Sequence, residues 1–181
     1  MIKIYLSPSK QINNEYCVGN TNEQEQMEAI AHKIKAILDN EYLCESVIAT
    51  STLSIDASGR TKEAKDKGCS VYLAIHSNSG GGGKASGAVA FYHPDSEQGK
   101  VLATNLVKDL DSISPVKSNR WESVINGMEA FNGAGYGEVR TPTQNGLIGV
   151  LVETNFHDNP VTADWIISNK DTIVDHMLPP W

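Results

Sequence analysis

A chain of 181 residues with 40% hydrophobic and 20% charged positions has the length of one domain and the composition of an ordinary globular fold. A net charge of −7, with no cluster of Lys and Arg, repels a nucleic-acid backbone and excludes nucleic acid as a partner. The three cysteines, Cys17, Cys44 and Cys69, are odd in number and form no CxxC pair, which excludes a disulfide framework or a cysteine-type structural zinc site.

Ile2 to Leu6 is short, β-branched and aromatic and ends at Ser7-Pro8, a buried strand running into a loop. From Asn22 the period changes: Met27, Ile30, Ala31, Ile34, Ile37 and Leu38 recur at helical spacing, and Glu25 stands three residues after Asn22 as in a capping box. Ser46 to Thr50 is a second strand, and Ala57 to Lys67 a polar surface helix. Val71-Tyr72-Leu73-Ala74-Ile75 is a continuous apolar run, the mark of a strand covered on both faces. It gives way to His76-Ser77-Asn78 and a glycine-rich loop up to Gly87.

Gly87 to Tyr92 predicts another strand, and Val101, Leu102, Leu106, Val107 and Leu110 a helical stripe. Ile148 to Val152 is a second fully apolar strand, and Val161 to His176 a final amphipathic helix. Strands alternating with helices predict an α/β fold: a mostly parallel twisted sheet with helices on both faces, in one domain. No stretch approaches the ~18 apolar residues that a membrane span needs, so no membrane insertion is expected.

Two polar residues follow the two apolar strands, His76 after Ile75 and Glu153 after Val152. In open α/β sheets the ligand crevice lies outside the carboxyl ends of the strands, so both side chains enter one site if the strands are parallel. A lone histidine is as often satisfied by a loop carbonyl. An acid directly behind Val-Leu-Val is partly desolvated, which is costly unless it is paired or used. Glu23 opens the first helix, where the helix dipole alone suffices to favour an acid.

Other arrangements fail. Ser79-Gly-Gly-Gly-Gly-Lys84-Ala85-Ser86 lacks the leading glycine and the Ser or Thr after Lys of a phosphate-binding loop; it is expected to flank the substrate groove. Cys69 and His76 lie at opposite ends of one strand, on the order of 20 Å apart at ~3.3 Å per residue, too far for a nucleophile and its base. His32, His93 and His176 are expected to be solvated.

Tyr72-Leu73-Ala74-Ile75-His76-Ser77-Asn78, Gly149-Val-Leu-Val-Glu153-Thr-Asn-Phe156 through Asn159, Glu23 ahead of Met27, Ile30 and Ala31, and Asn119-Arg120 resemble, in order, the motifs of the zinc-dependent N-acetylmuramoyl-L-alanine amidases (the amidase_3 family). Ser7-Pro8-Ser9-Lys10-Gln11 through Asn14 is similar to a clostridial and phage-endolysin branch of it. The resemblance implies a hydrolase that cuts the amide between N-acetylmuramic acid and L-alanine in bacterial peptidoglycan. Glu23 and His76 would be ligands of Zn²⁺, Glu153 the catalytic acid/base, and Asn78 and Arg120 substrate contacts, with Arg120 suited to hold a carboxylate.

The family's histidine after the first strand has no counterpart here. Gln11, from the same loop, or His157, beyond Glu153, would be the third ligand; loop position favours Gln11 and ligand chemistry favours His157. The other reading of that absence is a wall-binding pseudoenzyme that keeps the fold. The resemblance implies a monomeric catalytic domain over 1–177, with Leu178-Pro-Pro-Trp181 beginning a linker to a wall-binding module. Met1 to Pro8 does not have the form of a signal peptide. The chain is therefore expected to be cytoplasmic until released, as a phage endolysin is, or to be part of a longer exported protein.

Overall fold

The computed structural model describes residues 2–42 and 44–178. Along the chain run β1 (Ile2–Pro8), α1 (Glu23–Glu41), β2 (Cys44–Ile48), α2 (Arg60–Asp66), β3 (Val71–Asn78), β4 (Val89–Tyr92), α3 (Glu97–Ile113), β5 (Val124–Asn126), α4 (Gly137–Gln144), β6 (Ile148–Phe156), α5 (Pro160–Ser168) and α6 (Lys170–Asp175). The strands form one six-stranded sheet in the order β2-β1-β3-β6-β4-β5. β2, β1, β3 and β6 are mutually parallel, whereas β4 runs antiparallel to β6. The expected mostly parallel α/β sheet is present. Of the expected linker 178–181, only Leu178 lies within the described residues.

The side-chain alternation of each strand splits the core in two. Ile4, Leu6, Leu73, Ile75, Val150 and Val152 point to one face, where Met27, Ile30 and Ile34 of α1, Leu102 and Leu106 of α3, Ile166 of α5 and Ile173 of α6 cover them. Tyr5, Tyr72, Ala74 and Leu151 point to the other, against Ala64 of α2 and Val139 of α4. Strands buried on both faces read as unbroken apolar runs, which is why β3 and β6 are so plain in the sequence.

Local chemistry sets the element ends. Asn22, in extended conformation, caps α1 by accepting the Glu25 amide N–H at 3.0 Å, while the Glu25 carboxylate takes the Thr21 hydroxyl and not the cap amide that a full capping box would give it. Ser96 caps α3 the same way through Gly99.

Four expectations need correction. β3 and β6 do not stop at Ile75 and Val152: β3 pairs onward with β6, His76 opposite Glu153, and β4 also pairs there, Val89 opposite Glu153. The polar residues extend the ladder because their backbones still find partners, Glu153 on both sides and His76 on the β6 side. The single last helix is two, α5 and α6, because the chain breaks at Asn169, whose backbone is non-helical. The helix expected over Ala57–Lys67 is shorter and not wholly a surface helix, with Arg60 and Thr61 buried. His93 is 7% exposed; its Nδ1 accepts the Asp95 amide N–H at the turn into α3, so it is a buried turn residue and not a solvated one.

Candidate active site

The parallel strands place the polar ends of β1, β3 and β6 at one edge of the sheet, and the amino terminus of α1 returns Glu23 to the same edge. There Glu23, His76 and Glu153 each bring one donor atom to within 4.8 Å of the others. All three are buried: Glu23 is fully covered, and His76 and Glu153 are each 9% exposed. They line an open cavity of about 360 Å³ with Gln11, Asn14, Asn78, Ser79, Phe131, Tyr136 and Glu138 among its walls.

His76 is the hub. Its Nδ1 lies 2.8 Å from Glu23 Oε1 and its Nε2 lies 3.1 Å from Glu138 Oε2. Burial opposes a charged imidazole, but the two carboxylates outweigh it and raise the His76 pKa to about 10. Burial likewise works against ionised Glu23, yet hydrogen bonds from His76, Ser9 and Asn14 hold its carboxyl below the usual range. Glu153 has no such help. Its Oε2 is buried without a partner, and desolvation raises its pKa to about 7. Two acids a few ångströms apart are thus pushed in opposite directions, one kept ionised and one poised to take or give a proton near neutrality.

Gln11 reaches the cavity, with Nε2 3.5 Å from His76 Nδ1. Turning its amide by 180° puts the oxygen, a metal-ligating atom, in that place. His157 sits elsewhere. It is 1% exposed and stacks on Tyr16 at 4.7 Å. Its Nδ1 meets Ser77 Oγ at 2.9 Å and its Nε2 meets Asn14 Oδ1 at 3.1 Å. Asn14 in turn donates to Glu23 Oε2 at 2.6 Å. With both ring nitrogens so engaged, burial lowers the His157 pKa, and the neutral ring steadies Glu23 through Asn14.

Asn78 lies on the cavity wall. Arg120 does not line it: its guanidinium lies 4.9 Å from the centre of the Phe156 ring and spends Nε and Nη2 on Asn119 Oδ1. Glu138 was not among the expected residues. It comes from α4, whose sequence Gly137-Glu-Val-Arg-Thr-Pro-Thr-Gln144 has one buried apolar side chain and an internal proline, and so no helical stripe to notice.

The donor set suits a divalent cation. Three buried carboxylates surround one imidazole, one carboxylate oxygen lacks any partner, and carboxylate oxygen with imidazole nitrogen is the ligand chemistry that zinc accepts.

A mostly parallel α/β sheet thus brings two carboxylates and an imidazole together on an open cavity at its carboxyl edge. The chain belongs to the N-acetylmuramoyl-L-alanine amidase family, whose family model matches residues 7–176. It is 32% identical over 98 residues to the sporulation-specific N-acetylmuramoyl-L-alanine amidase of Bacillus subtilis (strain 168), a match taking in 52% of this chain and 37% of that one. The fold is similar to that of the catalytic domain of CwlV, an amidase of Bacillus (Paenibacillus) polymyxa var. colistinus, with a TM-score of 0.78 at 17% identity over 98% of this chain and 94% of that one. An N-acetylmuramoyl-L-alanine amidase of Nostoc punctiforme gives 0.77 at 16% identity, over 97% and 92%.

Proposed function

We propose that this domain hydrolyses the amide bond between N-acetylmuramic acid and the L-alanine of the stem peptide in bacterial peptidoglycan, with Zn²⁺ held by Glu23, His76 and Gln11 and with Glu153 as acid/base. The observation that carries the reading is Glu153: a buried carboxyl with an unpartnered oxygen and a pKa raised to about 7, side by side with His76 across the β3–β6 ladder. A wall-binding domain without chemistry has no use for that acid, and this counts against the pseudoenzyme reading.

Zinc bound there supplies Lewis acidity to the scissile carbonyl and acidifies water. Glu153, whose pKa matches the medium, takes the proton from the attacking water and delivers it to the departing nitrogen of L-alanine. Glu23 stays ionised beside His76, and the Asn14–His157 pair holds its carboxylate in place. Gln11 adds a neutral and weaker donor than the family's histidine, so metal binding is looser than with imidazole there. Asn78 and the exposed ring of Phe131 line the groove for the substrate, while Arg120, outside the cavity, is engaged with Phe156 and Asn119.

The wall is then the place of action, whether the domain arrives as a released endolysin or within a longer exported chain. It works there as a monomer. Digestion of purified cell walls tests the reaction: new α-amino groups of L-alanine are expected with no new reducing sugar ends, and reducing ends without new L-alanine amines would exclude an amidase.

A further inference from the structure

We infer that Glu138 is a positioning residue that holds His76 with Nδ1 directed at the cation site, and that Ser7, Tyr72 and Arg60 form the anchor that makes this possible. The inference rests on the metal reading proposed above and adds a residue to it. His76 reaches the cluster from a strand, and nothing in the strand fixes the rotation of its ring. Glu138 does so by geometry: its Oε2 accepts from His76 Nε2 at 3.1 Å, which leaves Nδ1 on the side of Glu23 and Glu153. A ring held the other way would aim its free lone pair into α4.

The carboxylate is itself clamped. Glu138 is 3% exposed, and its other oxygen, Oε1, accepts the Ser7 hydroxyl and lies 2.8 Å from the Tyr72 hydroxyl. Arg60, 2% exposed, donates through Nη1 to Ser7 Oγ and to the Pro8 carbonyl, each at 2.7 Å, with Nη1 3.9 Å from Glu138 Oε1. Four elements therefore contribute: Ser7 from β1, Arg60 from α2, Tyr72 from β3 and Glu138 from α4. A buried arginine and a buried glutamate are expensive unless they serve each other. Here the arginine balances the acid from behind, so that the acid can hold the imidazole in front. Carboxylates that orient a ligating histidine in this way commonly change metal affinity 10–100-fold when removed.

The test is zinc affinity of the metal-free protein, measured by competition with a chromogenic chelator, for wild type, Glu138→Gln, Glu138→Asp and Tyr72→Phe. Glu138→Gln is expected to weaken zinc binding by roughly 10–100-fold, Glu138→Asp to recover part of the loss, and Tyr72→Phe to show a smaller loss. The imidazole N–H proton of His76, read by nuclear magnetic resonance in the zinc-loaded protein, is expected to exchange with water faster in Glu138→Gln. A folded Glu138→Gln with wild-type affinity and exchange overturns the inference. If Glu138→Gln does not fold, Tyr72→Phe decides in its place, and unchanged affinity there overturns it equally. Wild type that binds no zinc at all removes the metal reading and this inference together, an outcome distinct from tight binding unaffected by Glu138.

Discussion

Glu153 and His76 are equally buried, yet His76 stays charged because two carboxylates hydrogen-bond to it, whereas Glu153, desolvated and with no partner on Oε2, is pushed toward its neutral form. Replacing Glu153 by Gln keeps the volume and removes the proton transfer, so wall hydrolysis should fall by ~10²–10⁴-fold while zinc content stays close to wild type. Hydrolysis retained at wild-type rate excludes the acid/base role, and loss of zinc makes Glu153 a ligand. The raised pKa also sets a pH dependence. The folded state holds the Glu153 proton more tightly than the unfolded state, so this group's contribution to the stability of the metal-free protein is complete below about 4.5 and lost as pH rises through about 7. Thermal unfolding of the chelated protein should therefore show wild type losing stability relative to Glu153→Gln between those pH values, and parallel profiles would contradict the assignment. The third ligand is a residue-scale question as well. Gln11 faces the cavity while His157 spends both nitrogens on Ser77 and Asn14. Gln11→Ala should lower zinc occupancy, His157→Ala should leave it stoichiometric but cost stability, and the reverse pattern measured by metal analysis would move the ligand to His157.

Elements differ in how clearly the sequence announces them, and the reason is what each one buries. β3 and β6 are unbroken apolar runs covered on both faces, and α1 and α3 carry apolar stripes behind a capping residue, so all four are legible. β5 has three residues, all half-buried, and α4 is held by contact with its neighbours more than by any pattern of its own. That explains why Glu23, His76 and Glu153 could be read from the chain while Glu138 could not: the first three sit on or beside patterned elements. α4 lies against β6 at Gly149, where an added Cβ would come 2.9 Å from the Val139 carbonyl and 3.0 Å from Thr143 Oγ1. A contact that close to backbone forces one element to move. Gly149→Ala is expected to destabilise the fold by about 1–3 kcal/mol, read by chemical denaturation, and an unchanged midpoint would show that α4 is not held as tightly as its packing indicates.

At the scale of the whole molecule, the charge of −7 gives no attraction to an anionic wall, so recognition falls to specific contacts in the groove. None of the described helices is long and apolar enough to cross a membrane. The sheet order, which sets β1, β3 and β6 side by side, explains how residues as far apart as Gln11 and Glu153 come to share one cavity; the sequence alone announces the main strands but not which of them are neighbours. If this cavity works as a metal-dependent amidase, its rate follows its metal. The deciding measurement is the rate at which L-alanine amino groups appear from purified cell walls before chelation, after chelation and after Zn²⁺ is restored. Full activity, loss and recovery are expected in that order. Release of L-alanine amines that continues undiminished in protein shown to be free of metal would contradict metal dependence.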